Sequence, residues 1–240
     1  MGFHFYEKDR SAAKLPHPKI PLSVFLIVEQ GVCATWELMQ TRPRAGFNLQ
    51  TSTEDEVTHE LYERLFDEVF DKEVVEGFDK ELLTVITRES KLRSYDGSHL
   101  DKMPDLLFRL IGRPPVEYPS QDWLFVECKP VDQDHSVGVH YCDKGIIRFV
   151  KGEYAWTMTS ALMIGYARPG YAISPKLNEA LKKFDTSIST TKFSKLCKRS
   201  KAGKFHDQVQ ESEHERKFCY VENGKAAPAI LIRHLWLRRN

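Results

Sequence analysis

Four apolar residues, Val57, Leu61, Leu65 and Val69, recur at every fourth position through the otherwise charged stretch TSTEDEVTHELYERLFDEVF (51–70). That spacing lays one apolar stripe along a helix, and Thr53 followed by Glu56 supplies the S/T-x-x-E capping box that starts one. Upstream, residues 20–40 are apolar without a clear period, which leaves helix and strand both open there. Downstream the pattern changes. LLTVIT (82–87), DLLFRLI (105–111) and WLFVECK (123–129) read as strands, with a polar loop at 92–101 between the first two. GRPPVEYPSQD (112–122), with three prolines and a glycine, can only connect the last two, which are expected to pair antiparallel. Residues 137–158 then read as a long helix with Tyr141, Ile146, Phe149 and Tyr154 on its buried side, and ALMIGYA (161–167) as a strand. Residues 174–184 form a helix opened by Ser174 and Pro175, and 228–237 close the chain as a strand after a polar, lysine-rich stretch at 185–227. This order predicts an α/β fold, a central mixed sheet flanked by helices.

Length and composition agree with that picture. A chain of 240 residues, 41% hydrophobic and 29% charged, is most simply one domain with a sizeable core, and it carries no internal repeat or low-complexity tract. The apolar run IPLSVFLIV (20–28) falls far short of the ~20 residues that span a bilayer, so a cytoplasmic protein without a membrane segment is expected. Five cysteines, at 33, 128, 142, 197 and 219, show no CxxC pairing, which predicts reduced thiols rather than disulfides or structural zinc. Charge is uneven although the net is only +1: residues 51–90 hold thirteen Asp and Glu against four Lys and Arg, and residues 190–240 hold twelve Lys and Arg against five Asp and Glu. The basic end is a candidate surface for a polyanion.

One acidic residue stands out. Asp105 follows a proline and precedes an apolar strand, where a carboxylate leaving water needs a cation, hydrogen bonds or a proton. The next strand ends in Glu127-Cys128-Lys129, and period-two alternation puts Glu127 and Lys129 on one face. Two carboxylates and an amine at one edge of a hairpin suit a hard divalent cation, Mg²⁺ or Mn²⁺, with the lysine orienting a water or stabilising charge on a phosphate. The bland reading makes Asp105 a turn residue and Glu127 a simple ion-pair partner of Lys129.

Pro104-Asp105, twenty-one intervening residues, then Glu127-x-Lys129 at the end of an apolar strand resembles the PD-(D/E)XK nuclease superfamily, with its restriction-endonuclease-like core. The stretches YCDKGIIRFVKGEYA and LMIGYA also resemble the helix and strand that follow the active site in bacterial proteins of this kind. The resemblance covers about half the chain and implies a nuclease-like core at about 51–170, with additions at 1–50 and 171–240. It implies a Mg²⁺-dependent nuclease acting on nucleic acid, DNA before RNA, and by analogy a role in restriction or phage defence. Asp105 and Glu127 are then expected to hold the metal, with the Cys128 backbone carbonyl adding an oxygen and Lys129 assisting the attacking water. Glu54, aligned with the buried stripe near the start of the first helix, is favoured over Glu56 and Glu60 to complete the shell.

Further expectations concern the substrate. Tyr141, Lys144 and Arg148 recur at helical spacing and are candidate nucleic-acid contacts, as is Arg216 beside His214 in the basic segment SEHERK. Gln133, Asp134 and His135 fit a polar turn as well as a substrate contact, His99 fits a loop, and His234 fits a satisfied core histidine. The resemblance also admits a homodimer or a partner protein that supplies recognition. A module that keeps the fold and binds nucleic acid without cutting is the alternative, whereas an enzyme for small phosphorylated molecules lacks the glycine-rich loop it needs.

Overall fold

A computed structural model describes residues 14–194 and 209–239. The stripe at Val57, Leu61, Leu65 and Val69 is fully buried, carried by α2 (Glu54–Arg64) and the π-helical turn Leu65–Phe70 that continues it. The capping box is present: the Thr53 hydroxyl accepts from the Glu56 N–H and the Glu56 carboxylate takes the Thr53 N–H at 2.7 Å. The stretch left open by periodicity is helix α1 (Leu22–Thr41). By length and composition it is the one helix among the described residues long and apolar enough to cross a membrane. Within this fold it is a core helix, burying Val28, Val32 and Trp36, with Trp36 stacked on Tyr166 at 5.5 Å between centroids.

Among the described residues, seven strands form one sheet: β1 (Leu83–Arg88), β2 (Leu106–Leu110), β3 (Leu124–Val131), β4 (Ser160–Ala167), β5 (Thr190–Ser194), β6 (Val209–His214) and β7 (Ile230–Arg238), ordered β1-β2-β3-β4-β7-β6-β5. The sheet is mixed. β1, β2 and β3 run antiparallel, β3, β4 and β7 parallel, and β7, β6 and β5 antiparallel. Between β3 and β4 the chain passes through a π-helical segment, Val137–Ile146, that leads into α3 (Ile147–Val150). After β4 come α4 (Ile173–Lys183) and α5 (Asp185–Ile188). Strands covered on both faces read as unbroken apolar runs, as all eight buried residues of β4 illustrate. One hydrophobic cluster extends from Ile20 to Leu237, so α1 and β7 share the core of the middle segment.

Three predicted elements need correction. The helix at 137–158 stops at Val150, because Gly152 at φ +68° and Ala155 at φ +53° turn the chain back toward β4; Tyr154 is buried from that turn, not from a helix. The polar stretch 185–227 contains β5 and β6, and the inward positions of β6 are Gln210, Ser212 and His214, so hydropathy gives no strand signal there. Lys129 does not end β3, which continues through Pro130 to Val131, paired with Tyr166 and Ala167 of β4.

Candidate active site

The reach of β3 beyond β2 creates the site. Pairing between β2 and β3 ends at Leu106–Val126, while β3 stays paired with β4 as far as Val131–Ala167. From Glu127 onward the β2-facing edge of β3 is therefore without a ladder, and its backbone groups need other partners. The Cys128 N–H finds one in the Asp105 carboxylate, at 2.6 Å. Pro130, two residues further on, faces the same open side and has no N–H to leave unpaired, so the proline is accommodated inside the strand. Asp105 thus takes over at the point where the ladder stops.

The side chains then gather around one ammonium. Lys129 Nζ donates to Glu54 Oε1 at 2.6 Å and to the Cys128 carbonyl at 2.7 Å, and lies 3.0 Å from Glu127 Oε1 and 3.8 Å from Asp105 Oδ2. Glu54 arrives from the first residue of α2, whose Thr58 hydroxyl meets Tyr166 of β4 at 3.0 Å and pins the helix start beside the sheet. Glu127 is wholly buried. The Tyr154 hydroxyl donates to its Oε2, and Arg148 Nη1 sits 3.1 Å from its Oε1.

Three carboxylates, Glu54, Asp105 and Glu127, here face two cations, Lys129 and Arg148. The shortfall falls on Asp105: burial first, then the neighbouring Glu127, push its carboxyl up to about 8, against the opposing pull of Lys129 and the Cys128 N–H. Burial pulls the Lys129 ammonium down, but Glu127, Asp105 and Glu54 outweigh it and hold Lys129 above the ordinary lysine range. Arg148 is likewise held above its ordinary value by Glu127 against its own burial. The Tyr154 phenol is raised by burial and then by Glu127, so it stays a hydrogen-bond donor.

The donor set fits a hard divalent cation. Two carboxylates and a backbone carbonyl are the hard oxygen donors that Mg²⁺ and Mn²⁺ select, and Glu127 Oε1 is buried with Lys129 and Arg148 as its ion-pair partners. The oxygens converge on Lys129, however, and among the described residues no three His, Cys, Asp or Glu side chains form a ready-made metal cage.

The remaining sequence expectations divide. The Glu54 carboxylate reaches the cluster, paired with Lys129. Glu56 is occupied by the capping box, and Glu60 is buried, 2.5 Å from Arg64. Lys144 is exposed and Arg148 joins Glu127. Tyr141, in contrast, is fully buried against Trp236 and His234, and Arg216 is buried on the carbonyls of Pro228, Ala155 and Trp156, which removes both from any surface a polyanion could touch. Arg233 and Arg239 are also buried, while Lys195, Lys198, Arg199, Lys201 and Lys204 of the basic end lie outside the described residues. His234 is a satisfied core histidine, shared between Tyr141 and Ser212. In the Asp132–His135 turn, the Asp132 carboxylate accepts from the backbone of Asp134 and His135.

Sequence reading missed the role of Tyr154 and the pairing of Arg148 with Glu127. Gly152 was the available signal: a glycine four residues past Arg148 marks a turn that carries Tyr154 back over the end of the segment. Compared with family models, with curated proteins and with solved structures, the chain finds no match.

Proposed function

We propose that this chain is a metal-dependent nuclease of the PD-(D/E)XK type, hydrolysing phosphodiester bonds in nucleic acid, DNA before RNA. The observation that carries the reading is the convergence of Asp105, Glu127 and the Cys128 carbonyl around Lys129, at the edge where β3 outruns β2. Bound there, Mg²⁺ or Mn²⁺ supplies Lewis-acid polarisation and a water of lowered pKa. Asp105, Glu127 Oε1 and the Cys128 carbonyl are the groups that would hold it. Lys129, kept protonated by its carboxylates, serves as a donor to the attacking water or to the phosphate oxygen that gains charge; it is not the base. Glu54 anchors that ammonium, Tyr154 fixes the buried carboxylate of Glu127, and Lys144 and Arg148 lie on the adjoining helix where flanking phosphates would run.

The test is incubation with plasmid DNA, single-stranded DNA and RNA in Mg²⁺, in Mn²⁺ and in EDTA, beside Lys129→Ala. The reading requires metal-dependent cleavage that the variant lacks; wild-type protein inert on all three substrates would sink it. One observation favours a second reading, a module that binds nucleic acid without cutting: the Lys129 ammonium already occupies the centre of the carboxylates. That reading expects retained binding in EDTA, without cleavage in either metal.

A further inference from the structure

Glu127 is a buried anion with three partners, and they are not equivalent. Tyr154 occupies Oε2, which leaves Oε1 as the oxygen that can serve a cation. Lys129 and Arg148 both sit on Oε1, at 3.0 and 3.1 Å. Lys129 has other fixed partners in Glu54 and the Cys128 carbonyl and is only 10% exposed. Arg148, which also bonds the Tyr154 hydroxyl, differs in exposure: its charged end reaches a carboxylate that is 0% exposed while 36% of its side chain remains in solvent. It comes from α3, a four-residue helix followed at once by the Gly152 turn, and Lys144 stands exposed one turn earlier on the same segment.

A cation entering on Oε1 meets a guanidinium already there, and two positive groups on one oxygen repel. Arginine's planar fork is suited to phosphate as well as to carboxylate, and its solvent exposure leaves it free to shift partners. We infer that Arg148 is an exchangeable counter-ion of the site: it neutralises Glu127 in the metal-free protein, and when a divalent cation takes Oε1 its charge passes to a phosphate of the bound nucleic acid. The inference rests on the nuclease reading above and adds a substrate-positioning residue to it. Arg148 thereby opposes premature metal binding and rewards metal and substrate together.

The experiment measures Mn²⁺ binding by calorimetry and cleavage at saturating Mn²⁺ for wild type, Arg148→Gln and Arg148→Lys. In Arg148→Gln the competing charge is gone, so Mn²⁺ affinity rises by about tenfold, a Coulomb effect discounted for solvent screening. Cleavage at saturation falls by roughly a hundredfold, the scale of losing one preorganised charge on the reacting phosphate. Arg148→Lys keeps the charge, restores the wild-type Mn²⁺ affinity and recovers cleavage in part. A merely structural brace predicts the opposite, with Mn²⁺ affinity and cleavage falling together in Arg148→Gln, and that result overturns the inference. Unchanged affinity, or unchanged cleavage at saturation, overturns it as well. Wild type that neither binds Mn²⁺ nor cleaves refutes the nuclease reading itself, a separate outcome.

Discussion

Two aspartates meet opposite ends of β3 and show opposite acidities. Asp122, two residues before the strand, is held down at about 2, and Asp105, bonded to Cys128 in its second half, is pushed up to about 8. Burial is the leading influence on both and raises both; at Asp122 the partners overcome it, and at Asp105 they do not. Arg113 grips both Asp122 oxygens, at 2.8 and 3.0 Å, and His17 adds a third contact at 3.1 Å. Asp105 has one backbone N–H and a lysine 3.8 Å away that it shares with two other carboxylates. A carboxylate with its own counter-charge holds the fold together, and a cluster short of counter-charge is a place for a cation from outside.

The first way to break this comparison is to remove the structural pair. Arg113→Ala leaves a buried Asp122 without its cation and is expected to cost about 3–5 kcal/mol, read from denaturant melts. Because the folded value of Asp122 is depressed, its contribution is full above the unfolded value near 3.8 and fades as pH falls toward about 2. Lys129→Ala acts on the other region: if the proposed nuclease function holds, cleavage is expected to drop by roughly two or more orders of magnitude. Metal binding is kept or strengthened, since lysine is not a ligand and its charge lies 3.0 Å from Glu127 Oε1, and a calorimetric titration of the variant checks it.

The metal itself sharpens the contrast. A divalent cation bound at the proposed site is expected, at ~100 times its Kd, to add about 2.7 kcal/mol, several degrees in melting temperature, and Asp105→Asn to remove the shift. In EDTA the sign reverses from that of Asp122. The folded value of Asp105 is raised from 3.8 to about 8, so its stabilisation is full below pH ~3.8 and is lost as pH climbs through 8. Melts of wild type relative to Asp105→Asn therefore decline across that window; a flat difference contradicts the charge shortfall. The smallest effect expected is from Tyr154→Phe, which takes a donor from a buried carboxylate at about 2 kcal/mol and loosens Glu127, visible as a weaker metal shift in the same melts.

Much of this arrangement was legible in the sequence wherever apolar side chains keep time with the backbone. The stripe from Val57 to Val69, the capping box at Thr53 and Glu56, and the alternation that puts Glu127 beside Lys129 all follow from local periods. The choice of Glu54 over Glu56 and Glu60 also came from position on the helix, and its carboxylate does reach Lys129. What stayed hidden depended on partners far along the chain. β6 buries Gln210, Ser212 and His214, with Ser212 bonded to both His214 and His234, so its inward face reads as polar. Tyr141 and Arg216 carry chemistry suited to phosphate, but Trp236 and the Pro228 carbonyl, remote in sequence, claim them for the interior.

On the proposed function, the missing counter-charge at Asp105 is met by a divalent cation. Calorimetric titration of Mn²⁺ into wild type and into Asp105→Asn at pH 8 tests it most directly, with the EDTA melts showing that the variant is folded. The account predicts saturable binding to wild type and its loss in Asp105→Asn. Equal binding by both proteins would contradict it, and would return Asp105 to the role of a residue that merely closes the end of a strand.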